Sequence, residues 1–317
     1  MAPSPSGKAE VCKTSITSSN LVGASIETEA SLFTGWLFLW LTAMDILSPH
    51  IVAILLASGA VAGFCAGLLG IGGGVILVPL FLWCFPLAGF PPEGLVHSAI
   101  GTSLGVIVLT ACSSALAHRK HGNVDWYQVL YLAMGGACGA ILGSTLATYL
   151  PGEKLKGVFA VMLILVGLKM FFSKRHLPPE RDTPVPVPSL LLVGLVGGGF
   201  SAFFGIGGGV VTVPLMVMAL GLPIHLAVGN ASALIVVSTI FGTASYILHG
   251  WNLPSLPAFS LGYVNLLVVA LVVPASTLFA RLGVRVARHA PHDKLSLIFA
   301  MLQLVIGTKI LFGVLFG

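Results

Sequence analysis

Charge is what this sequence most lacks. Only 8% of its 317 residues are Asp, Glu, Lys or Arg, and between Thr183 and Ala280 there is not one. A soluble domain keeps about a quarter of its residues charged, which rules one out across so long a stretch. With 56% apolar residues, the class that remains is an all-α polytopic membrane protein.

Other absences narrow the chemistry. Cysteine is sparse. Cys12 lies in a polar N-terminal tail, while Cys65, Cys84, Cys112 and Cys138 lie in or beside apolar segments without metal-ligand spacing. They read as packing thiols. No paired His, Asp, Glu or Cys groups share a depth in the apolar segments, which argues against an intramembrane enzyme. Asp45, Glu93 and Asp125 sit at segment boundaries, leaving no acidic proton relay inside a span. No Gly-Lys-Ser/Thr follows a glycine-rich turn, so nucleotide-binding loops drop out, and no cofactor or metal is expected. The formal net charge of +5 bears on orientation in a bilayer rather than on nucleic acid.

What is abundant is glycine, and one arrangement of it occurs twice. Gly70-Ile71-Gly72-Gly73-Gly74 is followed by Pro79, and Gly205-Ile206-Gly207-Gly208-Gly209 is followed at the same distance by Pro214. Each copy interrupts a long apolar run, 51–82 and 190–222, where a continuous helix would otherwise stand. Each helix-interior glycine costs roughly 1 kcal/mol relative to alanine, so three together open the backbone. In lipid an open backbone has to be buried in protein or face a polar cavity. Close helix packing is the plainer use of such glycines. Duplication, with a proline after each copy, favours a binding role.

In chain order, residues 1–48 are a polar tail and a short apolar N-terminal helix carrying Trp36 and Trp40, read as an extra span or an interfacial segment. Residues 49–173 form a first transmembrane repeat: a broken segment over 50–85, then spans over 95–117, 127–150 and 157–172. Residues 174–188, charged and then proline-rich, read as a stiff cytoplasmic linker. Residues 189–317 repeat the pattern. Ala99-Ile100-Gly101-Thr102-Ser103 is echoed by Ala227-Val228-Gly229-Asn230-Ala231, His121-Gly122 by His249-Gly250, and Lys154 and Lys169 by Lys294 and Lys309. Such agreement in one order marks two homologous halves.

Loop charge predicts how the halves relate. If each broken segment is a hairpin returning to its own face, each half has three crossings plus a hairpin, and the halves are inverted. Arg119, Lys120, Lys174, Arg175, Arg181, Arg281, Arg285, Arg288 and Lys294 then lie inside, with only Lys154 and Lys156 outside. A single crossing per broken segment would place the 281–294 cluster outside. Length agrees with the hairpin: thirty-six residues at about 1.5 Å each reach about 54 Å, short of two crossings of a core about 30 Å thick. The glycine tips should then approach one another from opposite faces.

Each second arm begins a new helix near Val75 or Val210, whose first N–H groups carry about half a positive charge. Such an end binds anions, oxyanions above all. The candidate substrate-binding set is Gly72, Gly73, Gly74, Gly207, Gly208 and Gly209, with Thr102, Ser103, Asn230 and Ser232 as neutral donors from the following spans. Thr102 and Ser232 read equally well as interhelical ties or back-bonded hydroxyls. His97 and His225 read as interfacial histidines. No Lys or Arg stands in mid-span, which suits selective but weak capture.

These motifs, with Val78-Pro79-Leu80, Val213-Pro214-Leu215, Gly101-Thr102-Ser103 and Gly229-Asn230-Ala231, resemble the TauE/SafE sulfite exporter family from about residue 50 to 317. The resemblance implies a multi-pass transporter in the cytoplasmic membrane, usually exporting sulfite, sulfoacetate or related organosulfonates, with the substrate at the paired glycine loops. Asn230-Ala231 stands where the first half has Thr102-Ser103, so the halves need not share the site equally. A passive small-anion channel, or a carrier for a different small carboxylate or oxyanion, is the alternative. Expected partners are the small anion and the lipid bilayer, not nucleic acid; a homo-oligomer stays open.

Overall fold

The computed structural model describes residues 48–69, 73–120, 122–172, 185–251, 253, 256–287 and 292–316. The expected N-terminal tail and helix, the tip residue Gly72 and most of the linker lie outside these. Among the described residues the chain is helical throughout, apart from one two-stranded hairpin. The helices are α1 (Pro49–Leu69), α2 (Gly74–Leu87), α3 (Leu95–Lys120), α4 (Trp126–Tyr149), α5 (Gly152–Phe172), α6 (Val187–Phe204), α7 (Gly209–Leu220), α8 (Ile224–Gly250), α9 (Leu266–Ala287) and α10 (His292–Phe316). Six of them, α1, α3, α4, α6, α8 and α9, are long and apolar enough to cross a bilayer. The polytopic all-α class therefore stands.

Local chemistry sets the element ends. Asp125 caps α4, its carboxylate accepting from the N–H groups of Tyr127 (3.0 Å) and Gln128 (3.3 Å). Gly205 and Gly221 close α6 and α7 in the left-handed conformation, φ +69° and +65°. Helix α6 begins at Val187, inside the stretch that composition assigns to the linker. Pro188 fits there because the first turn of a helix needs no N–H bond. Helix α5 likewise starts five residues before the expected 157. Between α8 and α9 the strands β1 (Ser260–Leu261) and β2 (Val264–Asn265) pair antiparallel.

Both glycine breaks turn the chain. Helices α1 and α2 touch each other, as do α6 and α7, and the second arms are short: 14 residues in α2 and 12 in α7. At 1.5 Å per residue these reach only about 21 Å and about 18 Å, less than the hydrocarbon core.

The helices interlock through small residues at matching places. Where Gly59 and Gly63 of α1 bare the backbone, Val272 and Ser276 of α9 approach, so these helices run parallel. Gly194 and Gly198 of α6 meet Leu132 and Gly136 of α4 in the same way. Gly59 and Gly194 stand 135 residues apart, as do Gly63 and Gly198, the spacing from Gly70 to Gly205. A Cβ at Gly63, Gly194 or Gly198 would overlap the facing carbonyl. Bilayers reward such contacts because packing, not water exclusion, holds helices together there. Helices at corresponding places also pair, and run antiparallel. Ser114 of α3 lies against Ser232 of α8 while Leu104 lies against Gly242, and Gly157 and Gly167 of α5 face Val314 and Leu304 of α10.

At the centre stand α3 and α8. Helix α3 is buried without break from Val96 to Ile107, its polar His97, Ser98, Thr102 and Ser103 included. The exposed rings of Trp126, Tyr127, Tyr149 and Trp251 sit at helix ends, where amphipathic aromatics favour the membrane interface.

Candidate functional site

The two glycine tips meet. Gly74, the first residue of α2, packs directly on the second motif. A Cβ there would stand 2.5 Å from the Gly205 carbonyl oxygen and 2.6 Å from Ile206 Cα. Gly73, Gly74 and Gly205 through Gly209 are all buried. Ser103 ties the place together, its hydroxyl donating to the Gly205 carbonyl at 2.8 Å. Ile107 of α3 and Ile235 of α8 form an apolar wall beside Gly207.

The tips differ in backbone. Gly207 and Gly208 both have φ +76°, a region that side chains resist, whereas Gly73 has φ −69° and ordinary helical geometry. The first internal bonds of α2 run from the Ile76 and Leu77 N–H groups to the Gly73 carbonyl. Those of α7 run from Val211 and Thr212 to the Gly208 carbonyl. The N–H groups of Gly74, Val75, Gly209 and Val210 precede them, so each helix presents its partial positive end at the tips.

Of the other candidate residues, Thr102 and Asn230 are engaged elsewhere. Asn230 Oδ1 accepts the Asp125 N–H at 2.9 Å, and its amide donates to Gln128 Oε1 at 3.0 Å. Thr102 Oγ1 accepts the Asn265 N–H at 3.0 Å. The preceding glycines explain the motif. Gly101 lets the Tyr263 carbonyl approach, and Gly229 lets that of Asn123, each three residues before α9 or α4. So Gly-Thr and Gly-Asn each clasp the incoming end of a helix from the other half. Asn265 completes the likeness to Asp125 by accepting from the Val268 N–H at 3.0 Å. Ser232 donates back to the Val228 carbonyl at 2.9 Å and pairs with Ser114. The structure thus brings Gly74, Ser103, Gly205 and Gly207 together, and sets Thr102, Asn230 and Ser232 on the α3 and α8 seams.

The histidines separate in the same way. His97 is buried, its Nε2 donating to the carbonyls of Ala147 (3.2 Å) and Leu150 (3.1 Å), while His225 is exposed. One further residue at the tips, Ser201, belongs to no sequence motif. It lies one turn before the second motif, is 1% exposed, and its hydroxyl has no partner. A comparison of the halves at the 135-residue spacing marks it, since Ala66 occupies the corresponding place. No three His, Cys, Asp or Glu side chains among the described residues stand close enough to hold a metal ion.

A family model, the sulfite exporter TauE/SafE, matches residues 55–310. The chain belongs to the TauE/SafE sulfite exporter family. That span takes in most of α1, both glycine motifs and most of α10. A probable membrane transporter protein of Haemophilus influenzae is 33% identical over 262 residues, covering 80% of this chain and 96% of its own. Another, from Bacillus subtilis, is 25% identical over 83% of this chain and 98% of its own, and one from Methanocaldococcus jannaschii 26% over 84% and 96%. No solved structure matches the chain. The chain is a multi-pass membrane transporter of this family, not an enzyme.

Proposed function

We propose that this transporter carries small sulfur-containing anions, sulfite or organosulfonates such as sulfoacetate, outward across the cytoplasmic membrane by alternating access. The observation that carries the reading is the buried contact of Gly74, the first residue of α2, with Gly205 and Ile206 of the loop that leads into α7. Two partial positive ends and bare glycine N–H groups suit an oxyanion with several acceptor oxygens. The site set is Gly72, Gly73, Gly74, Gly207, Gly208 and Gly209 with Thr102, Ser103, Asn230 and Ser232. Ser103 already faces a tip, and the other three polar residues would contribute as the halves shift. The family description supports sulfite, and the sulfonates share its oxygens.

An inverted relation of the halves is supported by the antiparallel pairs α3 with α8 and α5 with α10, which occupy corresponding places in the repeats. One half rocking against the other about the tips would open them to each side in turn. A monovalent anion leaving a cell negative inside gains about 2.3 kcal/mol per 100 mV, enough to drive export.

Proteoliposomes offered sulfite, sulfoacetate, taurine or sulfate, with and without an imposed potential, test this. Saturable flux that follows the potential and is stimulated by substrate on the far side is expected. Flux without saturation or trans-stimulation would indicate a passive channel, and absence of flux for every anion would overturn the reading.

A further inference from the structure

The two tips match in sequence but not in the hydroxyl groups around them. Spacings of 135 residues for the hairpins and 128 for the spans that follow (Gly70 to Gly205, Gly101 to Gly229) pair Ser201 with Ala66, Thr212 with Leu77 and Ser103 with Ala231. Every hydroxyl falls on the second tip. Ser103 donates to the Gly205 carbonyl at 2.8 Å and Thr212 to the Gly208 carbonyl at 2.9 Å, so both are spent on shaping the loop. Ser201 is not. Its carbonyl accepts the Ile206 N–H, anchoring the turn, while its hydroxyl has no hydrogen-bond partner although the residue is 1% exposed.

That hydroxyl is placed against the start of α7. The position a Cβ would take on Gly208, which caps this helix, is 3.4 Å from Ser201 Oγ. At the corresponding position of the first tip, a Cβ on Gly73 would stand 3.7 Å from the Ala66 methyl. A serine near a helix end ordinarily bonds back to a carbonyl three or four residues earlier, as Thr212 and Ser232 do here. A buried hydroxyl that forgoes this bond costs free energy unless something else supplies a partner.

We propose that the anion is held unequally, on the second glycine tip, and that the Ser201 hydroxyl is one of its direct ligands. It would donate to an oxygen of a sulfite or sulfonate group that also meets the N–H groups opening α7. The first tip, lined by Ala66 and Leu77, then supplies the apolar packing face on which the second closes. This rests on the reading that the tips bind a sulfur oxyanion.

The test uses full-length wild type, Ser201→Ala and Ala66→Ser in proteoliposomes with sulfite and sulfoacetate, together with thermal unfolding in detergent with and without each anion. A hydrogen bond to a charged group supports a loss of about ten- to a hundredfold, so Ser201→Ala should raise the half-saturation concentration by that factor. Its melting temperature without anion should stay at the wild-type value, because no bond within the protein is lost, and its anion-induced rise should shrink. Ala66→Ser should stay within about twofold of wild type, well short of the factor expected for a charge-assisted bond. Unchanged half-saturation in Ser201→Ala overturns the assignment. An equal effect of both variants overturns the inequality of the tips. If the wild type neither transports these anions nor is stabilised by them, the oxyanion reading fails first and this inference with it.

Discussion

Asn230 Oδ1 accepts the Asp125 N–H at 2.9 Å, joining the start of α4 to α8, a residue from one half to a residue of the other. Thr102 Oγ1 does the same for Asn265 at 3.0 Å, joining the start of α9 to α3. Truncating either acceptor strands a backbone N–H at a tight junction, which costs about 1–3 kcal/mol. Asn230→Ala and Thr102→Val should therefore melt several degrees lower in detergent, and Thr102→Ser should keep most of the wild-type stability. Equal melting of Thr102→Val and Thr102→Ser would show that the hydroxyl acceptor does not matter.

The tips make a prediction about neighbouring glycines. At Gly73 a methyl group would meet only ordinary contacts, 3.5 Å from the Ala62 carbonyl and 3.7 Å from Ala66 Cβ, in a helical conformation. Gly73→Ala should leave stability unchanged or raise it by about 0.4–1 kcal/mol. Gly208→Ala forces a side chain into the left-handed region, at about 1–2 kcal/mol, and presses on Ser201. Gly74→Ala should do most to transport, since its methyl would push Gly205 and Ile206 away. Flux assays on protein matched for membrane yield would separate these three.

The glycine seams should be equivalent in the two halves. Gly63→Ala and Gly198→Ala each drive a methyl into a facing carbonyl, and overpacking of this kind costs about 1–3 kcal/mol. Gly313→Ala meets nothing within 4 Å and should be silent. Melting temperatures that fall for one seam variant and not the other would break the correspondence between α1 with α9 and α6 with α4.

The proposed inverted arrangement would place Arg119 and Arg281 on one side of the membrane and Lys154 on the other. In a cysteine-free background, Arg119→Cys and Arg281→Cys should react with an impermeant maleimide only after the inner face is opened, and Lys154→Cys in intact cells. Arg119 lies over the Trp126 ring at 5.8 Å, a contact of modest energy, so its loss should not disturb folding. Labelling of Arg281→Cys in intact cells would contradict the inverted arrangement.

Much was legible in the residues themselves. The charge-free stretch from Thr183 to Ala280 determined a bilayer protein, because no aqueous surface can be made from it. The glycine triplets determined where helices break, since backbone entropy and left-handed φ are local properties. Element boundaries were less legible at Val187 and Gly152, where a proline or charged residue in a first turn resembles a loop in composition.

What each polar residue does was decided by tertiary structure. Thr102 and Asn230 are expected as neutral donors from early in their spans, but both act as acceptors for N–H groups more than a hundred residues away. Gly73 and Gly74 are neighbours of one type, yet only Gly74 lies against the other tip. Ser201 belongs to no motif in the sequence, and only the fold buries its hydroxyl without a partner. The sequence by itself determined the class of protein and the two breaks, which follow from composition and local backbone preference. Which residues face one another across the breaks came from packing two halves together, because a hydrogen bond depends on a partner's position in space and the chain order does not contain it.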